Sequence, residues 1–324
     1  MDLLSNIDPF VALAGVLVGF TVGLTGMGGG ALMTPILVLF FGVQPLAAVS
    51  SDLVASFVMK PVGSMVHLRR GTVNRGLVFW LVVGSVPSAF CGVLLLRSMG
   101  DGEAVQQRLR YFLAAALLIA VATIVVKAIL GVRRSVKERR EGVFGLTAPQ
   151  ALTDVTVRRV PTVVVGVLGG IMVGMTSVGS GSLIIVALLL LYPRIRASQL
   201  VGTDLVQAVP LVGSAALGHL LLGDFQLGLT ASVLVGSLPG VYVGARVSAV
   251  APGRLVRRAL MVVLLASGLK LANVDTVVLG WLLLACVTLV PVGWIGFRMA
   301  VGLPPRAPDR PHEKADLASA VEAA

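Results

Sequence analysis

Ionisable side chains are rare within the long apolar runs of this sequence, and the few that occur there are candidates for chemistry. They are Asp52, Lys60 and Asp204, with His67 and His219 at the ends of two runs. A charged group in so apolar a setting needs a partner or a function. Lys60 is suited to attract an anion or to pair with Asp52, which lies two helical turns earlier on the same face. The two aspartates are candidate proton carriers, and they form with the two histidines a candidate set for coupling or gating.

A second group of candidates combines glycine with hydroxyl side chains. Its members lie at two places, each in the middle of an apolar run of more than 30 residues. Backbone N–H and side-chain O–H groups of this kind can bind an oxyanion. Close packing between helices enriches the same small residues, so both interpretations stay open. The candidate substrate-binding residues are Thr25, Gly26, Gly28, Gly29, Gly30, Thr176, Ser177, Gly179, Ser180 and Gly181, together with Lys60.

The first cluster, "GLTGMGGGALMTP" at 23–35, also fits the pattern G-x-G-x-x-G/A, and Asp52 follows at the distance expected of a dinucleotide-binding fold. Its flanks argue against that function. They are apolar runs without a βαβ pattern, and no polar domain is present to hold a nucleotide. We therefore expect no cofactor and no enzymatic activity.

The composition predicts a membrane protein. The 324 residues are 56% hydrophobic and 13% charged, whereas soluble domains carry about 25% charged residues. Apolar runs long enough to span a bilayer recur along most of the chain. The net charge of +11 then indicates basic cytoplasmic loops and anionic lipid rather than nucleic acid. The two cysteines lie in apolar runs and predict neither a disulfide nor a metal site.

The two halves of the sequence are repeats of each other. "VGLTGMGGGALM" (22–33) matches "VGMTSVGSGSLI" (173–184), "SDLV" (51–54) matches "TDLV" (203–206), and "GSVPSAFCG" (84–92) matches "GSLPGVYVG" (236–244). His67 and His219 each follow their aspartate by 15 residues, and all these matches share an offset of 151–152. A repeat of this length indicates two structurally related halves.

The distribution of Lys and Arg predicts that the repeats are inverted. If each long glycine-containing run is a broken element that enters the membrane and returns, 20 basic residues face the cytoplasm and four face outward. If each run crosses once, the basic residues are spread evenly over the two sides. The positive-inside rule selects the broken elements, and with them an outside N-terminus and a cytoplasmic C-terminus. Paired interrupted helices are also typical of transporter binding sites.

We therefore predict an all-α polytopic membrane protein of two inverted repeats. Each repeat holds a broken or re-entrant helix element and three transmembrane helices, and one extra helix follows. The predicted parts are repeat one (1–131), a basic cytoplasmic loop (132–159), repeat two (160–273), a C-terminal transmembrane helix (274–301) and a disordered cytoplasmic tail (302–324).

Structural roles compete with functional ones at the ionisable residues. Each aspartate lies about six residues into its predicted helix, where it can cap the neighbouring broken helix. Each histidine borders a loop, which favours a position at the membrane interface. Pro87 and Pro239 interrupt matching helices, and there we favour a kink and close packing over a function.

The quoted motifs resemble those of the TauE/SafE family of sulfite exporters and related permeases. The similarity covers about residues 10–272 and includes "AVSSDLVASFVMKPVGSMVHLRRGTVN" and "LVGTDLVQAVPLVGSAALGHLLLGDF". It implies a plasma-membrane transporter for sulfite, a sulfonate or a related organic anion. Repeat two carries "SVGSGS" where repeat one has "GMGGGA", so the two halves differ in the hydroxyls that they offer a substrate.

The sequence thus favours a secondary transporter that works by alternating access around the two glycine-rich breaks. The alternative is a membrane scaffold or sensor that transports nothing. The expected partners are a small anionic substrate, the lipid bilayer and a coupling ion, H⁺ or Na⁺; no nucleic acid is expected. The identity of the substrate, the direction of transport, the oligomeric state (a homo-oligomer among the alternatives) and the role of the 132–159 loop stay open.

Overall fold

The computed structural model describes residues 8–25, 30–69, 71–100, 102–140, 156–192, 195, 197–222, 226–247 and 253–300. All regular secondary structure in these ranges is helical. The eleven helices are α1 (Pro9–Thr25), α2 (Gly30–Phe40), α3 (Pro45–Arg69), α4 (Arg75–Ser98), α5 (Glu103–Arg140), α6 (Arg159–Thr176), α7 (Leu183–Leu191), α8 (Ala197–Leu222), α9 (Leu227–Val247), α10 (Gly253–Leu271) and α11 (Thr276–Ala300).

The chain is an all-helical, multi-pass membrane protein. Five described stretches, in α4, α5, α6, α8 and α9, are long and apolar enough to cross a bilayer. Many large apolar side chains on these helices face outward, as lipid contact requires. The apolar helices α2 and α7 hold only 11 and 9 residues. At 1.5 Å per residue each is about half the length needed to span the hydrocarbon core.

Helices α4 and α6 pack against each other at very short range and run parallel. A Cβ on Gly166 would lie 2.6 Å from the backbone oxygen of Leu81, and a Cβ on Gly92 would lie 2.7 Å from that of Ile171. Positions further along α4 therefore meet positions further along α6. Small residues at a contact let two helix backbones approach closely, and glycine allows the closest approach.

Helices α1 and α9 form an equivalent parallel pair. A Cβ on Gly15 would lie 2.8 Å from the backbone oxygen of Val233, and a Cβ on Gly240 would lie 2.9 Å from the nitrogen of Phe20. At the start of this pair, Asp8 N donates to Ser232 Oγ at 2.9 Å. By the repeat offset, α1 corresponds to α6 and α9 to α4, so each repeat contributes one helix to each pair.

The long helices α3 and α8 lie beside each other and run antiparallel. Ser50 Oγ and His219 Nδ1 are 3.0 Å apart near one end, and a Cβ on Gly202 would lie 3.1 Å from His67 Nδ1 at the other. Between these ends, the ring of Phe57 covers Gly213. These two helices form the centre on which the broken elements meet.

Helix α7 returns to the end of the molecule where α6 begins. Tyr192, the residue that follows α7, accepts a hydrogen bond through its hydroxyl from Arg158 N at 2.9 Å. The same hydroxyl is 2.6 Å from Thr162 Oγ1 in the first turn of α6. The segment from α6 to α7 therefore turns back inside the protein.

Candidate functional site

The break between α6 and α7 begins with an unusual backbone conformation. Ser177 ends α6 at φ 59°, and its N–H donates to Val173 O at 2.8 Å. Gly179 follows at φ 123°, a value that favours glycine because a Cβ would clash with the backbone. The chain resumes helical geometry at Leu183. The side chains of Ser177 and Ser180 are thus held at the tip of the turn, both of them buried.

The other break lies against this one. Helix α1 ends at Thr25 and α2 begins at Gly30. A Cβ on Gly30 would lie 2.8 Å from Ser177 Oγ and would also overlap the Ser177 carbonyl. Glycine at position 30 therefore allows the two broken elements to touch. The candidates Gly26, Gly28 and Gly29 lie outside the described residues, as does the side chain of Thr25.

Asp52 joins the two broken elements through hydroxyl groups. Its Oδ2 accepts a hydrogen bond from Ser177 Oγ at 2.7 Å and from Thr34 Oγ1, in α2, at 3.0 Å. The side chain is fully buried. Its other oxygen, Oδ1, has no hydrogen-bond partner among the described residues. Hydrogen bonds donated to a carboxylate stabilise its charged form.

Lys60 brings a positive charge to the same place. It is only 7% exposed, and its Nζ donates to Ser180 Oγ at 2.6 Å. The ammonium also interacts electrostatically with Asp204 and with Asp52. An uncompensated charge at this depth is costly, and these groups provide the compensation.

Asp204, on α8, has different hydrogen-bond partners from Asp52. Its Oδ1 accepts from Gln207 Nε2 at 3.2 Å, and the Gln207 carbonyl oxygen in turn accepts from Ser85 Oγ at 3.3 Å. All three side chains are buried. Sequence analysis missed Gln207 and Ser85. The spacing of Asp204 and Gln207, three residues apart on one helix, is a signal that was available for this pair.

The two histidines differ in their surroundings. His219 is 1% exposed; its Nε2 lies 2.9 Å from Gly174 O, and its Nδ1 faces Ser50. His67 is partly exposed, and its Nδ1 lies 2.9 Å from Thr72 Oγ1. An interfacial position therefore fits His67, whereas His219 is buried because α3 and α6 cover it.

Two cavities adjoin these elements. One of about 30 Å³ is bordered by Ser177, Gly179, Ser180, Gly181 and Ser182 at the second break and by Val22, Ala31 and Leu32 near the first. It has room for about two water molecules. The other, of about 400 Å³, opens where α4 ends and α5 begins, and its lining includes Gln44, Arg97, Glu103, Gln106 and His219. Lys60 does not line the larger cavity, and the side chains of Lys60, Asp52 and Asp204 are all buried.

The predicted site residues thus divide into two groups. The structure brings Gly30, Ser177, Ser180, Asp52 and Lys60 into one buried cluster, with Asp204 in electrostatic contact. Thr176 does not take part, because its Oγ1 donates to Met172 O one turn back in its own helix at 2.6 Å. The cluster offers an ammonium and several hydroxyl donors, which is a donor set for an anion.

Known proteins are similar in sequence to this chain over most of its length. The family model described as "Sulfite exporter TauE/SafE" matches residues 11–271. A protein of Bacillus subtilis (strain 168) named "Probable membrane transporter protein YjnA" is 36% identical over 262 residues, covering 81% of this chain and 98% of that protein. Another from the same organism, "Probable membrane transporter protein YdhB", is 23% identical over 263 residues, with the same two coverages. No solved structure matches the chain. The chain therefore belongs to the sulfite exporter TauE/SafE family.

Proposed function

We propose that this protein is a secondary transporter that carries a small anion, such as sulfite, a sulfonate or a related organic anion, across the plasma membrane. The observation that carries the proposal is the buried Lys60 ammonium, which meets the Ser180 hydroxyl where the two broken elements touch. The names of the relatives, probable membrane transporters, support the same function.

The proposed site binds the anion through Lys60 and the hydroxyl of Ser180, while Ser177 and Thr34 donate their hydroxyl protons to Asp52. Charge-assisted hydrogen bonds of this kind contribute about 1.5–3 kcal/mol each. An anion that approaches Lys60 displaces Ser180 from the ammonium and gains its hydroxyl as a further donor. The cavity of about 30 Å³ beside Ser180 is too small for an oxyanion with several heavy atoms, so binding requires the broken elements to separate.

The mechanism we propose is alternating access between two inverted repeats, 1–131 and 160–273. Its support is the helix packing. The equivalent helices α3 and α8 run antiparallel, and α1 and α6 belong to two parallel pairs that begin at opposite ends of these helices. The pair α1 and α9 begins near the end of α8, because Asp8 binds Ser232, near the start of α9, the helix that follows α8. The pair α4 and α6 begins near the start of α8, because the backbone N–H of Asn74, just before α4, donates to Thr203 Oγ1 at 3.1 Å. Inverted repeats of this kind let one half move against the other around a fixed site.

We further propose that the N-terminus lies outside and the C-terminus in the cytoplasm, with loop 132–159 and tail 302–324 both cytoplasmic. The excess of Lys and Arg on that side supports this orientation. Reporter fusions at Gly102, Gly142 and Gly223 test it, and they should report outside, inside and outside. Gly142 and Gly223 lie outside the described residues. A cytoplasmic signal at Gly223 would overturn the inverted arrangement.

The transport proposal is tested in proteoliposomes with radiolabelled sulfite and methanesulfonate under imposed proton and sodium gradients. We expect uptake by the wild type and its loss in Lys60→Met. The matched control is Val212→Met, because Val212 is the repeat-two equivalent of Lys60 and is buried in an apolar environment. If a broad panel of anions shows neither uptake nor exchange while the protein stays folded, the scaffold or sensor function replaces this proposal.

A further inference from the structure

The two buried aspartates beside Lys60 are not equivalent, and the difference suggests how a proton accompanies the anion. With both carboxylates ionised and Lys60 protonated, the three buried groups Asp52, Lys60 and Asp204 carry one net negative charge; Lys127 of α5 also acts on Asp204, but its side chain is partly exposed and its charge is screened by solvent. Such a buried cluster repels a further anion. Anion binding therefore calls for a compensating positive charge, and one proton per monovalent anion supplies it.

Asp52 is poorly placed to take that proton. Its Oδ2 already accepts hydrogen bonds from both Ser177 and Thr34, so a proton there forces both hydroxyls to turn away. Oδ1 has no hydrogen-bond partner, and the Ser56 hydroxyl that acts on Asp52 also lacks one among the described residues. The two hydroxyls that donate to Oδ2 therefore favour the carboxylate at Asp52 more than the single amide donor does at Asp204.

Asp204 has fewer constraints. The one described hydrogen bond to it comes from Gln207 Nε2, and an amide can still donate to the carbonyl oxygen of a neutral acid. The charged groups that act on Asp204 are Lys60 from α3 and Lys127 from α5. His67 of α3 faces Gly202, two residues away, and His219 lies near the far end of α8. On α4, the Ser85 hydroxyl donates to the carbonyl oxygen of Gln207 at 3.3 Å.

We propose that Asp204 takes up a proton when an anion binds Lys60, which makes the protein a proton-coupled anion transporter in which Asp52 stays ionised. Lys60 is the link, because its ammonium is shared between Asp204 and the anion. When the anion engages Lys60, Asp204 loses part of its counter-charge and gains a negative neighbour, and both changes favour its protonation. By reciprocity a protonated Asp204 frees Lys60 for the anion. The proton comes from the aqueous phase on the side from which the anion enters and leaves with it.

This inference rests on the proposed function, so its test begins with a measurement that needs no transport. Infrared spectra of the reconstituted protein, recorded while the pH is lowered, report the carbonyl band of protonated carboxylic acids. We expect one component of that band to disappear in Asp204→Asn and to remain in Asp52→Asn. Saturating methanesulfonate, which stays ionised throughout, should strengthen that component in the wild type. Loss of the component in Asp52→Asn instead, or its presence in both variants, would overturn the assignment.

A flux assay then separates coupling from transport. For each variant, accumulation of labelled methanesulfonate under an inward proton gradient is divided by its exchange between equal pools. We expect this ratio to fall about tenfold or more in Asp204→Asn and to recover in Asp204→Glu, which restores a titratable group. If a folded Asp204→Asn protein keeps the wild-type ratio of accumulation to exchange, Asp204 has no coupling role, and the proposal of anion transport is unaffected. Absence of exchange in the wild type would count against the transport proposal, and the infrared result would still decide the protonation of Asp204.

Discussion

Helices α3 and α8 occupy equivalent places in the two repeats, yet they carry different chemistry. Asp52 and Asp204 match by position, but Lys60 of α3 corresponds to Val212 of α8. The breaks differ in the opposite sense, since Ser177 and Ser180 of repeat two correspond to Gly26 and Gly29 of repeat one. One repeat thus supplies the extra charge and the other supplies the extra hydroxyls.

These two differences are complementary in space. Ser177 donates to Asp52 and Ser180 accepts from Lys60. The hydroxyls of the second break therefore form hydrogen bonds with the charged side chains of the first repeat. The reciprocal of the Lys60–Ser180 contact lacks both members, since these positions hold Val212 and Gly29, and the reciprocal of the Ser177–Asp52 contact lacks the hydroxyl, since position 26 is glycine. The repeated architecture therefore contains a single polar half-site, and we expect a substrate to contact the two halves unequally.

The helix packing, in contrast, is the same on both sides. Gly19 lies against Ser237 in the pair α1 and α9, and its equivalent Gly170 lies against Ser85 in the pair α4 and α6. Close packing therefore occurs in both halves, whereas the polar side chains differ between them. The predictions below test this separation between a symmetric frame and an asymmetric site.

The largest effect should come from the residue that breaks the symmetry. Lys60→Met should lower anion uptake by about tenfold or more, because a charge-assisted hydrogen bond of about 1.5–3 kcal/mol is lost. Radiolabelled uptake and thermal unfolding are measured together, and Val212→Met should leave uptake close to the wild type while overpacking lowers its stability by about 1–3 kcal/mol. If Lys60→Met transports and melts like the wild type, Lys60 takes no part in binding.

If Lys60 instead serves mainly to balance Asp52, Lys60→Met should lower the melting temperature by stranding a carboxylate. Asp52→Asn in the same chain should then restore part of it, since the double variant removes that carboxylate while Asp204 still lacks the counter-charge of Lys60. A double variant no more stable than Lys60→Met alone would exclude that role. Uptake by the double variant separates the two functions, because a binding role for Lys60 predicts that uptake stays low.

The frame should respond equally on both sides. Gly19→Ala and Gly170→Ala each place a methyl group against the backbone of a serine on the partner helix, and overpacking of this kind costs about 1–3 kcal/mol. We expect the two variants to lower the melting temperature by similar amounts. Gly280→Ala, where an added Cβ has open space, is the control. A large effect of one variant and a negligible effect of the other would show that the frame is not symmetric.

A smaller and one-sided effect is expected at Ser180. Ser180→Ala removes the hydroxyl that Lys60 contacts, at a net cost of about 1 kcal/mol, which corresponds to roughly a fivefold loss of anion affinity. Ser182→Ala removes a hydroxyl that borders the same cavity and has no described bond to Lys60. Affinity is measured by competition against labelled methanesulfonate. Equal losses in both variants would mean that Ser180 has no special relation to Lys60.

Sequence reasoning reached the helical architecture because helices depend on local patterns, whereas the arrangement of two inverted repeats stays a prediction. The all-helical membrane architecture was confirmed, since long apolar runs determine it. The partners of the charged residues were beyond its reach. A helical stripe suggested Asp52 as the partner of Lys60, and the two do interact electrostatically. The bonds from Lys60 to Ser180 and from Ser177 to Asp52, however, join residues more than 100 positions apart in sequence. Such contacts depend on how the broken elements meet, and helix periodicity carries no information about that.

The burial of His219 illustrates the same limit. Its position beside a loop suggested the membrane interface, but α8 packs so closely on α3 and α6 that the side chain is enclosed and faces Ser50 and Gly174 O. The repeat-one equivalent of His219 is His67. His67 faces Gly202, whereas His219 faces Ser50, which is the repeat-one equivalent of Gly202. The surroundings of a residue near a helix end are decided by neighbours distant in sequence.

The smallest effect concerns Thr34, the second donor to Asp52, whose repeat-two equivalent is Ile185. Thr34→Val keeps the shape and removes the hydroxyl, so we expect a loss of about 1 kcal/mol in unfolding free energy. Ile185→Val should cost a similar amount, but through lost packing.

Double-mutant cycles tell the two causes apart, because residues that share a hydrogen bond typically couple by about 0.5–3 kcal/mol. Thr34→Val combined with Asp52→Asn should therefore be clearly non-additive, since the bond from Thr34 Oγ1 to Asp52 Oδ2 is altered in both single variants. Ile185→Val combined with Asp204→Asn should be nearly additive, since Ile185 has no side-chain donor. Equal coupling in the two cycles would show that both aspartates depend on packing around their helices, and the hydroxyls of the breaks would then lose their special role at Asp52.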